Sequence, residues 1–241
     1  MAIIRSITDG PARRGLDAVD LATLAVVVVA GLLRVPQPLH GDTLTFVHGG
    51  DVLVHGRLYA DFWDIKPPGI FYFTALGGLL FGFDEVGQHL FELLYMTVTA
   101  GLALLAARTL PGRTRRFGNL AVLLAWVPHY AVGTCFFALQ IEGIIGPALL
   151  ASAFLGLREE KGARFASGCM AAWIIAAKQL FAPLILVFWW LSIRHRGGRA
   201  QARETAAPLL AGAVLVAVVL ALPFALQGTL GEVLRTVFVY P

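Results

Sequence analysis

The chain has 241 residues, 58% of them hydrophobic and 14% charged, with a mean hydropathy of +0.75. A soluble domain carries about a quarter charged residues, so the composition excludes an ordinary soluble globule and points to a polytopic membrane protein. The net charge of +4 and a pI near 9.4 do not argue for nucleic acid, because the basic residues sit in short clusters between apolar runs, as membrane topology is written.

Residues 1–16 form a short basic tail with Arg5, Arg13 and Arg14 and no apolar signal-peptide core, so the first apolar run is expected to remain as a span. That run extends from Asp17 to Leu33 and ends at Arg34 and Pro36. Its valines are poor helix formers in water, but in lipid the backbone must satisfy its own hydrogen bonds. Further spans are expected over 87–107, 117–137, 141–157 and 206–226, with 165–193 long enough for a tight hairpin of two short helices.

The stretch 68–82 is apolar but short and carries three internal glycines. If it stays on the outer side, Arg5/Arg13/Arg14, Arg108–Arg116, Arg158/Lys161/Arg164 and Arg194/Arg196/Arg199/Arg203 all fall on one side, as the positive-inside rule prefers. It is therefore expected as an interfacial or re-entrant helix. The same argument turns 165–193 around near Lys178–Gln179. The expected fold is an all-α transmembrane bundle of about seven spans with its N-terminus in the cytoplasm. Residues 34–86 form a long first extracytoplasmic loop carrying interfacial helices. Cys135 and Cys169 then lie near opposite faces and are not expected to pair.

Within that loop, His40–Tyr72 is the one long polar passage, and its aromatics (Phe46, Tyr59, Phe62, Trp63, Phe71, Tyr72) argue against disorder. The topology gathers Asp42, Asp51, Asp61, Asp64 and Lys66 on the outer face, with Glu142 opening a span and Lys178 at the hairpin tip. Ionisable residues at a membrane boundary are costly and usually face a polar cavity or a partner. Glu142 and Lys178 could also snorkel to water as plain interfacial residues.

Asp42 follows the first span closely, which suits a general base, and it could equally cap a helix starting at Thr43. Lys66 precedes Pro67–Pro68, which lock the backbone and aim its ammonium, as a phosphate ligand or as an interface anchor. His48, Asp51 and His55 share a helix face at i, i+3 and i+7, which leaves a divalent metal open beside hydrogen-bonded interfacial histidines. Gly49, Gly50 and Gly56 are expected to weaken any rigid helix there. No hydrolase elbow, zinc-protease motif or P-loop is present.

The segment Gly41–Asp42 followed by GRLYADFWDIKPPGIFYFTAL, then ALQIEG at 138–143 and AAKQ at 176–179, resembles the GT-C-fold glycosyltransferases. The similarity is to the protein O-mannosyltransferase and lipid A aminoarabinose transferase group, and it takes in essentially the whole chain as one N-terminal catalytic module, 1–241. The resemblance implies inverting transfer of one sugar from a polyprenyl-phosphate carrier to a glycan, lipid or protein acceptor at the plasma membrane. It implies that Asp42 is the general base, that Lys66 and Lys178 contact the lipid phosphate, and that Glu142 orients the acceptor or supports a metal. Tyr59, Asp61 and Asp64, in the same motif, are expected to bind substrate. Such enzymes usually continue with further spans and a soluble domain, so this chain is expected to lack them and to need, in the alternative reading, a second subunit. That alternative is a catalytically incomplete carrier-binding or assembly subunit.

Overall fold

The computed structural model describes residues 15–109, 117–131, 139–194 and 199–239. The N-terminal arginines, Arg113, Arg115, Arg116, Cys135, the end of the 117–137 span and Arg196 lie outside the described residues. Among the described residues every regular element is helical. In chain order these are α1 (Ala18–Leu32), α2 (Asp42–His55), α3 (Gly69–Phe81), α4 (Glu85–Ala107), α5 (Gly118–Ala131) and α6 (Ile141–Leu157). They continue with α7 (Lys161–Ala177), a 3-10 turn (Gln179–Phe181), α8 (Ala182–Arg194), α9 (Arg199–Leu226) and α10 (Leu230–Phe238).

Two segments are long and apolar enough to cross a membrane by length and composition: Glu85–Ala107, and Ala202–Leu226 within α9. Helices Ala18–Leu32, Gly69–Phe81 and Ile141–Leu157, and the stretch Gln179–Arg194, are apolar but shorter. The expected spans at 87–107 and 141–157 thus correspond to helices, while the count of seven crossings goes beyond what helix length establishes.

The chain divides into two compact units, residues 1–44 with 80–140, and residues 45–79 with 141–241. In the first, α1, α4 and α5 pack around Val27, Met96, Ala100, Leu104, Val122, Trp126 and Tyr130. One end of this bundle is tied by charge. Asp17 caps α1 with a capping box, and Arg108, nearly buried, donates to Asp17 at 2.8 Å and to Asp20. Asn119 of α5 donates to Asp20 at 2.9 Å and to Thr23 at 3.0 Å. A buried guanidinium is tolerable only when paired in this way.

In the second unit α7 packs on α6 and, more extensively, on α9. Gly168 and Gly212 set the α7–α9 crossing: a Cβ on Gly168 would collide with the Leu209 carbonyl, and one on Gly212 with the Phe165 carbonyl. Small residues that let backbones approach this closely are the usual fastening between apolar helices.

The expected turn at Lys178 is present. Helix α7 ends at Ala177, Lys178 is extended (φ −154°, ψ 102°), and the chain re-enters helix through the 3-10 turn. Lys178 lies beside Glu142 at the start of α6. Ser192 near the end of α8 has returned to Gly156, at the opposite end of α6; its hydroxyl is 3.5 Å from where a Gly156 Cβ would lie. The two arms have 17 and 13 residues, and the first begins at Lys161 rather than 165.

One expectation is corrected. Gly49 and Gly50 do not interrupt helix: α2 runs without a break from Asp42 to His55. The glycines serve packing instead. A Cβ on Gly50 would lie 2.5 Å from Thr74 Oγ1 and 2.7 Å from the Ala75 nitrogen, and Gly49 is seated on the rings of Phe71 and Phe62. Thr74 completes the contact by donating to the Phe46 carbonyl at 2.7 Å. Helix α3 also packs Phe73 against Trp173 and donates from the Tyr72 hydroxyl to the Leu220 carbonyl at 2.9 Å. Most of α3 is therefore enclosed, with Leu76, Leu79 and Leu80 exposed.

Candidate active site

The turn between α2 and α3 is a compact knot around Lys66. Leu58 and Phe62 form a single bridge, and the Tyr59 nitrogen donates to the Phe62 carbonyl at 2.8 Å. This fold-back holds Tyr59 at φ 70°, a left-handed conformation uncommon for a bulky residue. The buried Tyr59 ring packs against Phe71 and Phe224. Its hydroxyl donates to the Lys66 carbonyl at 2.5 Å. Burial, with Asp64 nearby, pushes the Tyr59 pKa well above the usual tyrosine value, so the hydroxyl stays protonated and keeps that donor role.

Asp64, 8% exposed, accepts from the Lys66 nitrogen at 3.0 Å. The same oxygen lies 3.7 Å from the Lys66 ammonium, which also sits 5.2 Å above the centre of the Phe46 ring. Asp61 faces elsewhere. It accepts from the Arg57 backbone at 2.8 Å and from its guanidinium at 3.2 Å, at the surface. The Arg57 hydrogen bonds hold its carboxyl below the usual range.

Pro67 and Pro68 lead directly into Gly69, and Gly69 is pressed onto the backbone of α7's last residues. A Cβ there would lie 2.5 Å from the Ala177 nitrogen, 2.6 Å from the Ala176 carbonyl carbon and 2.7 Å from its oxygen. Lys178 is the next residue after that contact, and it pairs with Glu142 in the first turn of α6. The lysine-bearing turns of the KPPG and AAKQ motifs are thus brought together in the second unit, each lysine beside a carboxylate. The sequence expected both lysines at one site; their resident counter-ions emerge only from the fold.

Asp42 belongs to the first unit. It is exposed at the start of α2, after Gly41 at φ 58°, a conformation that glycine adopts freely. Helix α2 thus begins at Asp42 itself. His48 packs edge-on against Phe62 at 5.1 Å, while His55 pairs with Asp51 at 2.9 Å at the surface. Among the described residues no group of three His, Cys, Asp or Glu side chains is arranged to hold a metal.

Sequence reasoning missed a buried polar group in the first unit. Glu92, 1% exposed on α4, accepts from His129 Nε2 at 2.8 Å and from the Leu139 nitrogen at 2.7 Å. His89, one turn earlier, donates from Nε2 to the Gln37 carbonyl at 2.9 Å and turns Nδ1 toward Glu92 at 3.5 Å. Leu139 is itself left-handed, at φ 52°. The signal was His89 and Glu92 at i, i+3 inside an apolar span, where ionisable residues need partners.

Among the described residues the regular structure is all helical, and two apolar segments are long enough to cross a membrane. Residues 65–226, well over half the chain, match the family described as dolichyl-phosphate-mannose-protein mannosyltransferase. The chain belongs to that family, and it is a membrane glycosyltransferase of the GT-C type. No curated protein matches the chain, and no solved structure does.

Proposed function

We propose that the protein transfers a monosaccharide from a polyprenyl-phosphate carrier to an extracytoplasmic glycan, lipid or protein acceptor, with inversion at the anomeric carbon. The reading rests on one observation: the seat of Gly69 on Ala176–Ala177 gathers the turns of Lys66 and Lys178. Two ammonium groups held by a proline-locked turn and a helix break suit the anionic phosphodiester of a carrier. The acceptor hydroxyl attacks the anomeric carbon, the bond from that carbon to the phosphate oxygen breaks, and the carrier departs as a phosphate monoester. Asp42 takes the acceptor's proton as general base. Tyr59 and Asp64 act by holding Lys66, and Glu142 orients the acceptor when Lys178 turns to the phosphate.

The proposed topology has seven crossings, a cytoplasmic N-terminus and an outer loop over 34–86, with 1–241 forming one catalytic module. Transfer from radiolabelled polyprenyl-phosphate hexoses in native membranes tests the whole reading. Wild type moves label to an acceptor, while Asp42→Asn and Lys66→Ala, expressed at equal levels, do not. Normal transfer by Asp42→Asn would remove the base assignment. Carrier binding with no transfer by wild type would favour an incomplete module that works with a second subunit.

A further inference from the structure

We propose that Asp64 and Glu142 are specificity-determining carboxylates: they cancel the charge of Lys66 and Lys178, so that the site accepts a singly charged prenyl phosphodiester and disfavours prenyl phosphates of higher charge. This rests on the reading of the two lysines as the donor-phosphate site. Each ammonium has its own carboxylate, Asp64 at 3.7 Å from Lys66 and Glu142 paired with Lys178. The remaining charges of the turn, Arg57 and Asp61, neutralise one another. Each of these two lysine–carboxylate pairs is close to neutral before any ligand arrives.

A carrier phosphate linked to a sugar is a diester with one negative charge. A phosphate monoester carries about −1.5 to −2 at pH 7, and a diphosphate carries more. A resident carboxylate repels each of these in proportion to its charge, so the penalty rises from donor to product and to diphosphate carriers. The consequence falls at both ends of the cycle. On entry the carboxylates discriminate against diphosphate-linked lipids. After transfer the C–O bond to the sugar is gone, the carrier has become a monoester, and the same carboxylates favour its departure. Two bare lysines would do the reverse and hold the product more tightly than the donor.

The test uses the full chain in lipid nanodiscs at pH 7.5 with three sugar-free probes: farnesyl methyl phosphate, farnesyl phosphate and farnesyl diphosphate. Wild type is expected to bind the methyl diester best. Glu142→Gln is expected to tighten the monoester and the diphosphate by on the order of tenfold, with a smaller gain for the diester, so that the preference narrows or inverts. Asp64→Asn should do the same. Because Asp64 is buried and also holds the Lys66 backbone, the more exposed Glu142 carries the decision. An unchanged diester-to-monoester ratio in Glu142→Gln, with Lys178→Ala weakening all three probes, would overturn the carboxylate role alone. If Lys66→Ala and Lys178→Ala bind every probe as wild type does, the donor-site reading falls, and this inference with it.

Discussion

Replacing Gly69 by alanine adds one methyl group at the contact that joins the two lysine turns. The new carbon would lie 2.5 Å from the Ala177 nitrogen, with the Ala176 carbonyl carbon and oxygen at 2.6 and 2.7 Å. All three are backbone atoms, so no rotamer change relieves the overlap. Restoring ordinary contact requires the start of α3 and the end of α7 to part by about 1 Å. Overpacking of this kind costs ~1–3 kcal/mol, set against a gain of at most about 1 kcal/mol from replacing glycine in a helix. The larger effect is on chemistry, since a misplacement of about 1 Å can lower a rate by ~10²-fold. The assay is sugar transfer and carrier binding in nanodiscs, alongside thermal unfolding in detergent. Gly146→Ala is the control, because a Cβ there meets nothing within 4 Å. Gly69→Ala is expected to lose transfer far in excess of its loss of stability. Full transfer with an unchanged melting temperature would refute the argument that this contact aligns Lys66 with Lys178.

Gly50→Ala should destabilise the second unit by ~1–3 kcal/mol, because its Cβ falls 2.5 Å from Thr74 Oγ1; a melting temperature equal to wild type would contradict the close α2–α3 crossing. Glu92→Leu strands the Leu139 N–H and the His129 donor and should cost roughly 1–3 kcal/mol for each, read as lost thermal stability in detergent. Tyr59→Phe removes the hydrogen bond to the Lys66 carbonyl, worth about 1 kcal/mol, and should weaken carrier binding more than it lowers melting temperature. Arg57→Gln takes the guanidinium from Asp61 and leaves the backbone N–H bond in place; the guanidinium hydrogen bond is the main cause that holds the folded carboxyl below its usual value. That contribution is present above the ordinary aspartate pKa and fades as pH falls through the lowered one. The melting difference between Arg57→Gln and wild type should therefore shrink in acid and persist at neutral pH.

The helices were legible where an apolar run and a breaker coincide. Ile141–Leu157 and the reversal at Lys178 follow from run length and charge placement alone. Gly49 and Gly50 misled because a glycine pair reads locally as a helix breaker, and only the arrival of Phe71 and Thr74 from α3 shows why no side chain fits there. The two lysines were expected as site residues from their motifs, and the fold brings their turns together. Their pairing with Asp64 and Glu142 differs in kind: Asp64 is two residues from Lys66, but Glu142 and Lys178 are 36 apart, a distance that periodicity cannot bridge. The Glu92 group was hidden for the same reason, since His129 and Leu139 come from other parts of the chain.

The crossing of Gly168 and Gly212 bears on how α9 finds its neighbour. From Ala206 onward helix α9 is apolar, with much of that surface exposed, and lipid offers it no hydrophobic reason to prefer one neighbour over another. Its address is written instead in the groove that α7 presents, where carbonyls of Phe165 and Leu209 meet facing glycines. The fit is reciprocal, since each helix gives a glycine to the other's carbonyl, so the crossing is written jointly in α7 and α9. A bulky residue at either glycine would meet backbone rather than a movable side chain, so the two helices would have to part along their whole crossing.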